Sequence, residues 1–150
     1  MKPLIVLLAV FITGCLATFI AGGHADYFLC GRVAMTVMLV FTSIAHFKFT
    51  RGMMLMLPRF VPYKRPVVYI TGIIEILAGI GLLVGPVRYT VAWLVILFFV
   101  FLLPANIYAA KHAVDLEQAN YKGRGLTYLW FRVPLQVVFI AWVYYFAVLN

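Results

Sequence analysis

Five stretches of the chain are apolar over close to the length a helix needs to cross a bilayer, about 20 residues. They cover residues 3–21, 32–47, 67–84, 89–110 and 126–148, and the second, the shortest, can be extended back to Tyr27. Hydrocarbon offers the backbone no water, so a spanning chain closes its hydrogen bonds as helices or as a barrel. Barrel strands are shorter and alternate polar with apolar residues, and these stretches do neither. The sequence therefore predicts an all-α, polytopic transmembrane helix bundle. No internal repeat, low-complexity tract or linker divides it. Residues 1–150 read as a single membrane domain, with an N-terminal membrane helix within 1–25 and a four-helix core over 27–148.

Composition supports this: 66% of residues are hydrophobic and only 11% charged, against about 25% charged in an ordinary soluble domain. A soluble enzyme, a disordered chain and a charged nucleic-acid groove are excluded. The formal net charge of +8 does not call for a nucleic-acid partner, because no basic patch with interleaved aromatics is present. In a membrane protein such an excess orients the chain and meets anionic lipid headgroups.

The basic residues fall mostly on one side. Lys2 precedes the first span; Lys48, Arg51, Arg59, Lys64 and Arg65 follow the second; Lys111, Lys122 and Arg124 follow the fourth. The opposite side keeps Arg32 and Arg88, and Arg132 lies inside the fifth span. The positive-inside rule then places the N-terminus in the cytoplasm and the C-terminus outside, provided the first helix is retained. A bacterial inner (plasma) membrane is the expected location. A cleaved signal is the alternative reading of residues 1–25, since Gly23-His24-Ala25 resembles a small-residue cleavage site and Ile12-Thr13-Gly14-Cys15 a lipoprotein motif. The apolar run continues past Cys15 to Ala21, as in a retained helix.

The connection over residues 48–66 carries Phe49, Met53, Met56, Leu57 and Phe60 near helical spacing, with basic residues between them. This is the pattern of an amphipathic helix in the headgroup region, broken by Pro58, Pro62 and Pro66. It reads either as a membrane-hugging connector or as a lid over a cavity.

Polar residues inside the spans are the informative ones. Glu75 lies eight residues into the third span, roughly 12 Å deep at about 1.5 Å per residue. A charge at a helix centre costs about 2.5–3.5 kcal/mol on insertion scales, so such a residue faces the bundle interior and has a partner or a task. Gln136 sits near the same depth in the fifth span, and Arg132 one turn shallower on the same face. Asn106 lies near the end of the fourth span beside Pro104, and His46 near the end of the second. These five residues are the candidate ligand-binding set, with Glu75 and His46 the candidates for proton chemistry.

Each has a plainer role. Glu75 and Arg132 can form a buried ion pair, Arg132 can snorkel to the headgroups, and His46 can be an interfacial histidine. Asn106 can bond the carbonyl freed by Pro104, and Gln136 can join helices. Gly72, Glu75 and Gly79 share one face of the third span, which is expected to be the interior seam. Cys15 and Cys30 read as two unrelated small apolar residues, though a redox pair in the outer half is the alternative. His24, His46 and His112 lack metal-ligand spacing, so no metal is expected. No phosphate loop, nucleophile elbow or HExxH motif occurs.

Several segments together resemble the DoxX-like family of small integral membrane proteins. They are Arg32-Val33-Ala34, Ala45-His46-Phe47, Met56-Leu57-Pro58 with Pro62, and Tyr69-Ile70-Thr71-Gly72-Ile73-Ile74-Glu75. Leu103-Pro104-Ala105-Asn106-Ile107-Tyr108-Ala109-Ala110 and Arg132-Val133-Pro134-Leu135-Gln136 complete the resemblance, which extends over residues 32–145. Typical members of that family have four spans, so the helix over residues 3–21 is a departure or an added anchor. His46, Pro58, Glu75, Pro104, Asn106 and Arg132 fall on the family's motifs. The resemblance implies association with thiosulfate:quinone oxidoreductase, with membrane thiol-redox complexes or, in animals, with receptor assembly.

The leading expectation is a redox-associated membrane subunit that binds a quinone, or another lipophilic head group, in a polar cluster of the cytoplasmic leaflet. Whether it is itself an enzyme is left open; an accessory subunit of a membrane oxidoreductase fits, with a redox partner protein or a second copy beside it. The alternatives are a non-enzymatic assembly factor or lipid-binding module, and a small proton-coupled carrier.

Overall fold

The computed structural model describes residues 2–149, and among them the architecture is all-α. The helices are α1 (Lys2–Gly22), α2 (Tyr27–Lys48), α3 (Thr50–Met56), α4 (Lys64–Leu83), α5 (Gly85–Lys111) and α6 (Thr127–Val143). α6 runs on into a single π-helical turn, Tyr144–Val148. α1, α2, α5 and α6 with its final turn are each long and apolar enough to cross a membrane. α4, of 20 residues, pairs with α2 antiparallel: Thr36 meets Gly79, Thr42 meets Glu75, and His46 meets Val68. It therefore runs alongside α2, and the five apolar stretches expected from the sequence are all helical.

The helix ends explain themselves locally. α2 begins at Tyr27, the earlier of its two expected starts, because the Asp26 side chain caps it by accepting from the Leu29 N–H at 3.0 Å. α5 begins earlier than residue 89, with Pro86 in its first turn, where a missing N–H costs nothing. Pro66 does not break the connector as expected. It lies in the first turn of α4, where it is tolerated for the same reason. Pro58 does end the preceding helix, since α3 stops at Met56.

The core joins Leu7 of α1, Met35, Met38 and Leu39 of α2, Leu82 of α4, Val95 and Phe99 of α5, and Phe139 and Val143 of α6. α1 is packed into this bundle: Leu7 is wholly buried, and Phe11 sets its ring edge-on to Trp142 at 5.1 Å between centroids. The outward faces are apolar as well. Ile12, Leu16 and Ile20 of α1 and Leu94 and Phe101 of α5 are all more than half exposed, a surface suited to lipid. The beginnings of α1, α4 and α6 and the ends of α2 and α5 lie at one end of the bundle, because Pro3, Val67, Tyr128, His46 and Asn106 line one cavity there.

Cys15 and Cys30 are both free thiols; Cys30 packs against Gly14 of α1 and sets its Sγ 3.8 Å from Thr18 Oγ1.

Candidate functional site: a polar cavity within the bundle

The site begins with the α2–α4 seam. The buried residues of α4 are Val68, Gly72, Glu75, Gly79 and Leu82, spaced alternately four and three apart as in a packed helix pair. The glycines allow close approach. A Cβ on Gly72 would lie 2.8 Å from the Cβ of His46, and one on Gly79 would lie 3.3 Å from the Thr36 carbonyl oxygen. Thr36 ties the seam by donating to the Gly79 carbonyl at 2.7 Å. The seam thus sets His46 directly against Glu75, with Nε2 and Oε1 3.3 Å apart. The expected face Gly72–Glu75–Gly79 is the interior one.

Hydrogen bonding fixes the tautomer of His46. Its Nδ1 lies 3.0 Å from the Val68 carbonyl oxygen, which can only accept, so Nδ1 carries a hydrogen. Nε2 therefore accepts from a protonated Glu75, or donates to an ionised one. Thr71 Oγ1 lies 3.1 Å from the same Nδ1 and donates to backbone carbonyls of its own helix. Thr42 approaches the other carboxyl oxygen, donating to Oε2 at 3.0 Å. Glu75 and His46 are both buried, so these contacts are what make a carboxyl tolerable at this depth.

The opposite wall comes from α5 and α6. Asn106 donates to Gln136 Oε1 at 3.4 Å, and Gln136 donates from Nε2 to the Phe99 carbonyl. Pro104 cannot donate to the Val100 carbonyl one turn earlier, and Gln136 takes up the carbonyl next to it. The expectation that Asn106 itself bonds an α5 carbonyl is corrected: Gln136 does so, and Asn106 bonds Gln136.

Between these walls lies a cavity of about 210 Å³ lined by His46, Glu75, Asn106, Arg132 and Gln136. All five sequence-predicted residues are therefore brought together. The rest of the lining is largely apolar, with Met38, Phe99, Leu102 and Phe139 prominent. Of the two roles open to Arg132, the ion pair with Glu75 does not form. The Arg132 guanidinium stands 5.9 Å from the centre of the Tyr128 ring, and the ion pairs among the described residues are His46–Glu75 and Lys2–Glu117. Four residues separate Arg132 from Gln136, so its side chain leaves α6 one turn nearer the basic end.

That end is closed by two segments. α3 turns Met53 and Met56 onto the cavity, with Leu57 just beyond. Phe60, expected on the same apolar face, is instead strongly exposed, because the chain has left the helix at Pro58. Leu116, from residues 112–126, also lines the cavity, and Gly52 of α3 lies against its carbonyl so closely that a Cβ has no room. The loop is held by Asp115, whose side chain accepts from the N–H groups of Glu117 and Gln118 at 2.9 Å each. Of the two readings of the connector, the lid is the one the geometry matches.

Sequence reasoning missed Thr42, Thr71 and Leu116. The threonines had a signal: each stands four residues before a candidate, His46 or Glu75, on the same helical face.

Fold and site together define an integral membrane helix bundle with a polar cavity buried among its spans. The chain belongs to the family described as Domain of unknown function (DUF8561), whose model matches residues 35–147. No curated protein and no solved structure matches it.

Proposed function

We propose that the cavity holds the polar head of a membrane-soluble ligand, a quinone or a closely similar lipophile, and that the chain is a redox-associated membrane subunit of the DoxX-like kind. The observation that supports this reading is the closely apposed His46–Glu75 pair facing the Asn106–Gln136 pair across an otherwise apolar cavity. A volume of about 210 Å³ lies below the usual range for drug-sized ligands and suits a single head group. A quinone carries two carbonyl oxygens on opposite ring edges, and the two polar walls offer donors to both.

Reduction of a quinone to its quinol consumes two electrons and two protons. The electrons come from a redox partner or a cofactor it carries, because the chain has no haem or iron–sulfur ligand pattern. His46 and Glu75 supply one proton, which leaves a neutral imidazole beside a carboxylate that still accepts from Thr42; the second proton comes from water at the basic end of the cavity. The basic connections then face the cytoplasm of a bacterial inner membrane, and the cavity lies in that leaflet.

The test is mass spectrometry of small molecules that co-purify with the detergent-extracted protein, wild type beside Glu75→Gln. A quinone in the wild type that falls at least ten-fold in the variant supports the reading. An empty wild type, or equal quinone in both, contradicts it and leaves an assembly factor or a carrier.

A further inference from the structure

The end of the bundle opposite the cavity carries a second polar feature. Arg32, in the second turn of α2, lies one turn before Thr36, which meets Gly79 near the end of α4, and Arg88, in the first turn of α5, follows directly on the tight connection at Val84 from that same end; the two therefore stand at one corner of the bundle. The Asp26 carboxyl is engaged by the Leu29 N–H as the α2 cap, and neither arginine has an ion-pair partner among the described residues. The Nε atoms of both are buried and make no hydrogen bond. No other buried side-chain nitrogen or oxygen among the described residues is left in that state. Both arginines are half-buried, so each covers its unpaired Nε while the end of its guanidinium stays open to a ligand at this surface.

The surroundings favour an anion and indicate its depth. α2 and α5 both begin at this end, so their positive dipole ends add to the arginine charges. Tyr27, Tyr89 and Tyr144 are exposed there, and Trp93 packs edge-on against Tyr89 and Tyr144 at 6.5 and 6.2 Å between ring centroids. Such a belt of tyrosine and tryptophan marks the headgroup level of a membrane. The guanidinium fork matches phosphate geometry better than any other side chain.

We propose that Arg32 and Arg88 together clamp the phosphate of an anionic phospholipid headgroup in the leaflet opposite the cavity. This site is separate from the cavity and does not depend on what the cavity binds.

The test titrates the purified full chain, in neutral detergent, with dioctanoyl phosphatidylglycerol, dioctanoylglycerol or inorganic phosphate, following the thermal unfolding midpoint. Phosphatidylglycerol is expected to raise the midpoint of the wild type, and dioctanoylglycerol is not. Replacing both arginines (Arg32→Gln with Arg88→Gln) should weaken the phosphatidylglycerol response about ten-fold or more, the loss expected for charge-assisted hydrogen bonds. The Arg32→Lys, Arg88→Lys protein keeps the charge, loses the fork and should fall between; it carries the test if the glutamine variant does not fold. Unchanged affinity in these variants, or an equal response to dioctanoylglycerol, would overturn the site. Inorganic phosphate matching phosphatidylglycerol at equal concentration would overturn the lipid as its occupant.

Discussion

Glu75 has one basic group in contact, and it is His46 of the neighbouring helix. A buried pair of this kind contributes little relative to an apolar replacement, but losing one member leaves an uncompensated group at a cost of about 3–5 kcal/mol. His46→Leu and Glu75→Leu should each destabilise by that order in a detergent unfolding assay, and the double replacement should cost clearly less than their sum. The same cycle on Glu75 and Arg132 should be additive to within about 0.5 kcal/mol, as for residues that share no contact. Coupling between Glu75 and Arg132 with none to His46 would refute the geometry. At this scale the sequence was informative about depth and silent about rotation. Spacing placed His46, Glu75, Asn106, Arg132 and Gln136 in the same half of the membrane, but depth alone does not fix which way a side chain points around its helix. That is why an ion pair with Arg132 stood open as one role for Glu75, although the basic group beside it is His46. Thr42 and Thr71 escaped notice because threonine is unremarkable in an apolar helix until a polar neighbour is known.

The α2–α4 seam and the α3 closure carry the predictions for whole elements. Gly72→Ala sets a methyl against His46, whose Cβ leaves only 2.8 Å. The helices must part, at about 1–3 kcal/mol for overpacking, and the thermal midpoint should fall accordingly. Gly52→Val has no room against the Leu116 carbonyl, so α3 must lift from the loop. Hydrogen exchange should then quicken across residues 50–56 and around Leu116, with the seam residues of α2 and α4 unaffected; equal protection in both proteins would remove α3 as a lid. The helices themselves were legible because apolar length is a strong signal. Their ends followed from chemistry that can be read afterwards, such as the Asp26 cap and the first-turn positions of Pro66 and Pro86. The folded loop over residues 112–126 was not legible, since the Asp115–Asn120 bridge that organises it is a backbone pairing, the Asp115 N–H donating to the Asn120 carbonyl at 2.8 Å, and no periodic pattern announces it.

For the whole molecule, the basic residues define one end. Lys2 reaches Glu117 at 2.9 Å, and though so exposed a pair contributes little stability, it shows that the start of α1 and the loop over 112–126 share that end. Single-cysteine variants in a Cys15→Ala, Cys30→Ala background should report this: Arg59→Cys and Lys122→Cys labelled from one face of the membrane, Gly23→Cys and Gly85→Cys from the other. Labelling of Arg59→Cys and Lys122→Cys from opposite faces would contradict the bundle. The central claim, that the cavity seats a lipophilic head group beside His46 and Glu75, is tested most directly by photo-crosslinking. An azido-quinone would be added to the purified chain and the adducts mapped by peptide mass spectrometry. Adducts concentrated at Met38, Met53, Met56 and the Val68–Glu75 turns of α4, and displaced by excess unlabelled quinone, are what the account predicts. Adducts confined to lipid-facing side chains such as Ile20 and Leu94, and indifferent to competitor, would contradict it.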